Sequence, residues 1–333
     1  MTRLSWVNLI AVVLLTLLVK FVSEDWWVTA ALVYLPRCVF LLPSIALIPL
    51  AAPRSLRAVA INVAAVAIVA WPLMNLQIRF DRGTSLPAAR KDRTLRIVSC
   101  NVQRFRPDFA SVLGDISQMQ PSVIALQDAA VSSDLLKRYL VGWHLVREGE
   151  FVVASRFPVR FIDKCQPDAF GRTSVALFEL AAPTGPVRLY NLHQMTPRRG
   201  LAALRPDSII TETGRGDLEA FVALRAAEAR ETREFVERTR GSLPTLILGD
   251  FNMPSDSSLY HEFWGDLPNA FNEVGSGYGY TFPSQRQYQW PGGFPWMRID
   301  HVVVSEHWKV RESWVGSANG SDHRPIAAVV ELR

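Results

Sequence analysis

The chain has 333 residues, 49% of them apolar, with a mean hydropathy of +0.11 and a formal net charge of +5. That length allows one large domain or two small ones. Three cysteines without metal-type spacing, no internal repeat and no low-complexity tract exclude a cysteine-bound zinc module, a solenoid and a tract-type protein, while the mild positive charge suits an anionic substrate or a lipid surface.

The apolar excess sits in residues 5–76, in three runs. The first is "SWVNLIAVVLLTLLVKFV", Ser5 to Val22, and the third spans Leu56 to Leu76. Crossing the hydrocarbon core takes roughly 20 apolar residues in a helix, and both runs fit. The second, Trp26 to Ala52, is long enough but contains Pro36-Arg37. An arginine there is expensive, which predicts a segment that is tilted, kinked or turned toward its neighbours. Two further apolar runs and the lack of a small-x-small cleavage site argue against a cleaved signal peptide. Residues 1–76 are therefore expected to form an anchor of about three transmembrane helices, bound to the lipid bilayer through residues 5–76. Arg3, Arg54 and Arg57, set against Glu24 and Asp25, place the N-terminus inside and everything after the third span outside. Arg79, Arg82, Arg90 and Lys91 oppose that orientation. The expectation is a multi-pass protein of the cell inner membrane with an extracytoplasmic domain.

Residues 77–93, "QIRFDRGTSLPAARKDR", lack an apolar period and read as a linker. From Leu95 onward short apolar runs read as strands: Arg96–Cys100, Val123–Leu126, Phe151–Ala154, Val187–Leu192, Thr245–Leu248, Ile299–Val304 and Ile326–Leu332. Several lack polar alternation, which predicts burial on both faces. Pro107–Gln118 and Asp217–Arg240 read as helices, the second stopped by Gly241 and Pro244. The mixture predicts a layered α/β sandwich over residues 94–333.

Polar groups gather where these strands end: Asn101, Gln127-Asp128, His193, "GDFNMP" with Asp250 and Asn252, "RID" with Asp300, and "SDHRPI" with Asp322 and His323. Each has an ordinary reading alone. "GDFN" is an Asx-turn or a helix cap, Asp-His a surface turn, Gln-Asp a loop start, and His193 a sheet-edge histidine. Ends of neighbouring strands come together in space, so the six segments together predict one rigid pocket.

In chain order, "RIVSCNVQ", "VIALQD", "SRFPV", "LYNLHQ", "LILGDFNMP", "RIDHVVVS" and "GSDHRPI" resemble the motifs of the endonuclease/exonuclease/phosphatase superfamily, which includes DNase I, abasic endonucleases, neutral sphingomyelinases and inositol-polyphosphate 5-phosphatases. The resemblance covers Leu95 to Leu332 and implies a DNase I-like four-layer α/β sandwich, two packed mixed sheets flanked by helices. It also implies a phosphoric ester hydrolase that uses a divalent metal, Mg²⁺ with Mn²⁺ or Ca²⁺ as alternatives. Asn101, Asp128 and Asp322 would ligate the metal. Oxygen donors without a cysteine pair suit magnesium better than zinc. His193, Asp250, Asn252, Asp300 and His323 would be catalytic. His323 would pair with Asp300, Asp250 would orient or deprotonate water with Asn252 beside it, and His193 would donate to a phosphate oxygen; either Asp250 or His323 would be the base. One position departs from the family: Asp128 stands where the pattern has Glu, which withdraws the carboxylate by roughly one bond length, about 1.5 Å.

The family's substrates range from DNA to lipids, so the fold does not name one. The expected partner is a phospholipid or a nucleic acid, with no protein partner. Three functions remain open: a membrane-anchored phosphodiesterase acting on a lipid or other envelope phosphoester, a membrane-tethered DNA endonuclease or exonuclease, and a catalytically silent binding module. "YQWPGGFPWM", Tyr288 to Met297, reads as a packed loop or an aromatic rim, and "TPRRGLAALRPDS", Thr196 to Ser208, as a solvated loop or a phosphate-holding lip.

Overall fold

A computed structural model describes the chain except residues 80–92, 106–108, 169, 184, 205–212, 285–293 and 319. Most of the expected linker therefore lies outside the described residues, as do Pro107, Arg205 to Ser208 and Tyr288 to Gly293.

The N-terminal region is a helical bundle: α1 (Thr2–Phe21), α2 (Trp27–Val33), α3 (Leu42–Ala51), entered through a 3₁₀ turn at Arg37–Leu41, and α4 (Leu56–Ile68), which continues as a π turn to Leu73. Thr2–Phe21 and Leu56–Leu73 are long and apolar enough to cross a bilayer, by length and composition. The second apolar run is not one helix. It bends by 98° between Trp27–Val33 and Arg37–Ala51, because Pro36 cannot donate to a continuing helix. Inside the bundle, Asn8 donates to Ser44 Oγ (2.8 Å) and Asn62 Oδ1 (3.1 Å), and Asn62 donates to Ser5 Oγ (2.8 Å). Small and amide side chains thus join the helices, while Val7, Ile10, Leu42 and Leu56 are exposed on the outside of the bundle.

Among the described residues eleven strands follow: β1 (Thr94–Asn101), β2 (Val123–Gln127), β3 (His144–Glu148), β4 (Phe151–Ser155), β5 (Val159–Cys165), β6 (Val175–Ala182), β7 (Gly185–His193), β8 (Thr245–Asp250), β9 (Asp300–Val304), β10 (Trp308–Val315) and β11 (Ile326–Leu332). They form a six-stranded sheet, β10-β11-β1-β2-β4-β3, and a five-stranded sheet, β5-β6-β7-β8-β9. Only β1–β2 and β7–β8 run parallel. Ile97, Ala125, Val153, Leu189, Leu248 and Val302 pack between the sheets. Their sequence neighbours Val98, Ile124, Val152, Tyr190, Ile247 and Val303 pack outward, the first three under the helix Phe109–Gln118 and the last three under the helix Thr213–Arg240. Both faces are thus covered, which is why these strands read as unbroken apolar runs. The expected helix at Asp217 begins one turn earlier, at Thr213, and ends as expected at Gly241, whose φ is +58°. Strands β3, β5, β6 and β10 are additional to the seven expected. Three are sheet edges with half-exposed polar positions, and β6 carries Glu179, which pairs with Arg160 and Arg188.

Candidate active site

Strand register builds the cleft floor. His193 is opposite Asp250 across the parallel β7–β8 pair, and Asp250 is opposite Asp300 across β8–β9. Gly249 permits this approach. Its φ is +145°, and a Cβ there would fall 2.0 Å from the Leu192 carbonyl oxygen, so no other residue fits. From the facing sheet, β1 ends in Asn101 beside Gln127, the last residue of β2. Gln127 itself stitches the sheets together: its amide donates to Asn191 Oδ1 (2.6 Å), and Asn191 donates to Leu126 O (3.1 Å).

Asp250 is the centre of the constellation. Its Oδ2 accepts from Asn101 Nδ2 (3.0 Å) and Asn252 Nδ2 (3.0 Å), and its Oδ1 accepts from the Asn252 backbone N–H (2.9 Å). Asn252 holds a left-handed φ of +52°, which an Asn tolerates and which folds its side chain back onto Asp250. Two imidazoles flank the same oxygen: His193 Nε2 and His323 Nε2 each lie 3.7 Å from Asp250 Oδ2. Burial raises the pKa of the Asp250 carboxyl, with Asp300 adding to it, in opposition to both histidines.

Each imidazole is held from behind by a carboxylate. His323 Nδ1 is 2.8 Å from Asp300 Oδ2, and both residues are buried. Burial opposes charge on this ring, but Asp300 and Asp250 outweigh it and push His323 up to about 10. His193 Nδ1 is 2.8 Å from Glu150 Oε1. Burial again opposes the charge, and the Glu150 hydrogen bond and Asp250 carry the pKa upward. Glu150 is correspondingly lowered despite its own burial. Arg172 completes this side, donating to His193 O (2.8 Å) with its other terminal nitrogen 3.5 Å from Glu150.

All eight expected site residues are thereby located. Asn101, Asp128, His193, Asp250, Asn252, Asp322 and His323 line one cavity of about 710 Å³, and Asp300 lies directly behind His323. Asp128 is at the rim, at a φ of +49°, with Arg104 3.3 Å from its carboxylate. Glu150, Arg172 and Arg104 were not foreseen. Glu150 follows Gly149 in the β3–β4 hairpin, and "REGEF" carries no mark that separates it from a surface turn.

Five carboxylates gather in and around this cleft: Asp128, Glu150, Asp250, Asp300 and Asp322. Burial raises the pKa of Asp128, Asp250 and Asp322, and each is raised further by a neighbouring acid. A Mg²⁺-type cation with oxygen ligands fits such a set, since it would relieve that repulsion. Asp250, Asp300 and His323 place one ligand atom each within 4.8 Å of one another. His323 Nδ1 is already engaged by Asp300 and the ring is pushed toward its charged form, so this trio suits proton handling better than metal ligation.

Acids, amides and two carboxylate-backed imidazoles at one end of a DNase I-like sandwich define a hydrolase of phosphoric esters. The chain belongs to the Endonuclease/Exonuclease/phosphatase family, whose model matches residues 98–323. Similar solved structures include an endonuclease/exonuclease/phosphatase from Beutenbergia cavernae (17% identity, TM-score 0.51, 72% of each chain covered). A family protein from Bacteroides thetaiotaomicron is 16% identical (TM-score 0.51), covering 72% of this chain and 98% of that one. The 3′ phosphatase NExo from Neisseria, bound to a product DNA hairpin, is 20% identical (TM-score 0.51), covering 72% of this chain and 99% of that one. At these identities the likeness is one of fold. No curated protein matches the chain.

Proposed function

We propose that this chain is a membrane-anchored, divalent-metal-dependent phosphodiesterase, multi-pass in the inner membrane, whose extracytoplasmic domain hydrolyses a lipid or other envelope phosphoester. The observation that carries the reading is the single cleft in which Asn101, His193, Asp250, Asn252 and His323 converge next to the apolar bundle. Asn101, Asp128 and Asp322 would hold the metal, which when bound neutralises phosphate charge. Asp250 orients the attacking water and accepts its proton. His323, held charged by Asp300, binds a phosphate oxygen and donates, since a ring that keeps its proton to about pH 10 is a poor base at neutrality. His193 donates to another oxygen, and Asn252 keeps the Asp250 carboxylate aimed.

The test uses the full chain in lipid nanodiscs with Mg²⁺, against anionic phospholipid vesicles, bis-p-nitrophenyl phosphate and plasmid DNA. Phospholipid turnover that survives rising salt is expected. Asp250→Asn should lower kcat by roughly 10³-fold, as loss of a proton acceptor in such a unit does, and EDTA should abolish turnover. DNA cleavage that falls steeply with salt would replace the lipid reading with a nuclease one. Full turnover by Asp250→Asn would sink the site.

A further inference from the structure

Tyr34 belongs by sequence to the second apolar run, yet its side chain lines the catalytic cavity. Leu201, Phe282, Trp296, Met297 and Ile299 line the same cavity, and the Phe282 ring lies 4.9 Å from the His323 imidazole. These residues are continuous with the core of the bundle, where Val12, Val19, Val33, Ala65, Val69 and Leu73 pack against Met297 and Ile299. The cleft therefore carries, beside its polar groups, an apolar surface that runs into the bundle.

The same tyrosine is wired to the catalytic loop. Its hydroxyl donates to Glu24 Oε1 (2.9 Å) and accepts from Arg225 Nη1 (2.6 Å). Arg225, fully buried in the helix Thr213–Arg240, donates from Nη2 to the Asn252 carbonyl (2.6 Å) and from Nε to Met195 O (3.1 Å). Glu24 Oε2 accepts from both the backbone and hydroxyl of Ser258 (2.9 and 2.7 Å). Arg37 closes the junction on Asp256 at 2.5 Å, with both side chains buried. Asp256 and Ser258 lie four and six residues after Asn252 in the chain. A flexible tether would have none of these contacts; buried charges of this kind are costly unless fully paired.

We infer that the bundle forms part of the active site: Tyr34 seats the apolar portion of an amphipathic phosphoester and, through Arg225, positions Asn252. This rests on the phosphodiesterase reading above and narrows its substrate to esters with an apolar group next to phosphorus.

The experiment compares p-nitrophenyl dodecyl phosphate with bis-p-nitrophenyl phosphate, using the full chain in nanodiscs with Mg²⁺. Tyr34→Ala should raise KM for the dodecyl ester about 10-fold more than for the small ester, because only the former uses the apolar surface. Tyr34→Phe, which keeps the ring and cuts the link to Arg225, should lower kcat on both esters about 5-fold with little change in KM. Melting midpoints in the same discs identify a variant that fails to fold, and Tyr34→Leu then replaces Tyr34→Ala. Equal KM changes for the two esters, or wild-type kcat in Tyr34→Phe, overturns the inference alone if Asp250→Asn is inactive. No turnover of either ester by the unsubstituted chain sinks the phosphodiesterase reading and this inference with it.

Discussion

Two histidines approach Asp250 from opposite sides with matching geometry. Each Nε2 is 3.7 Å from Asp250 Oδ2, and each Nδ1 is 2.8 Å from a carboxylate oxygen. They differ in solvation. Asp300 behind His323 is fully buried, whereas Glu150 behind His193 has a side chain 31% exposed and shares itself with Arg172. A buried carboxylate acts through a low local dielectric, so its partner ring is held charged far more firmly than one facing a wet, partly neutralised carboxylate. The pairs teach that hydrogen-bond length alone does not set a residue's role. On the proposed mechanism His323 is a firmly held cation, and His193 a donor that solvent and Arg172 moderate.

The comparison breaks most directly by deletion. His323→Ala should lower kcat by about 10³-fold and His193→Ala by about 10²-fold, within the span found for positioned acids and bases. The discriminating measurement is the ratio of the two in the same steady-state assay. Equal losses would mean that the different backing carboxylates do not matter. Asp300→Asn removes the buried counter-charge and should fall between the two.

A pH titration sharpens it. Folding raises His323 from its ordinary 6.5 to about 10, so the native state binds this proton more tightly than the unfolded chain does. The resulting stability is complete below pH 6.5 and fades as pH rises toward 10. In EDTA, the melting midpoint of the unsubstituted chain should fall over that window relative to His323→Gln. A constant difference between the two from pH 6.5 to 10 would remove the argument for a fixed cation.

The residues at this centre were legible in the sequence because each closes or shortly precedes a strong apolar run. A buried strand must end where its polar neighbours can be satisfied, so Asn101, His193, Asp250 and the Asp322-His323 pair are marked by the strands themselves. Glu150 and Arg172 sit in turns that carry no such mark, and a single sequence does not reveal which turn faces which strand end. The bundle was legible as apolar length but not as architecture. Arg37 read as a cost to a membrane span, whereas it lies at the end of the bundle that meets the sandwich, where Asp256 and the carbonyls of Leu73 and Val33 satisfy it. Tyr34 falls inside the same apolar run, where nothing local tells an outward-facing tyrosine from one lining a cleft.

The smallest expected effect lies on the wetter side of the pair. Glu150→Gln keeps a hydrogen-bond acceptor for His193 Nδ1 and removes only the charge. Arg172, now 3.5 Å from a neutral amide, loses its counter-ion as well. The ring's pKa should drop, because burial still opposes its charge and the leading contribution that raises it is gone. The loss in kcat should grow with pH, from about 2-fold at pH 6 to about 10-fold at pH 8, as the ring gives up the charge that Glu150 helps it hold. Asp300→Asn, in contrast, should depress kcat at both values, since burial without a counter-charge disfavours the proton on His323 throughout. A Glu150→Gln profile parallel to that of the unsubstituted chain from pH 6 to pH 8 would show that His193 acts by shape and not by charge, and the two halves of the floor would then differ in kind as well as in strength.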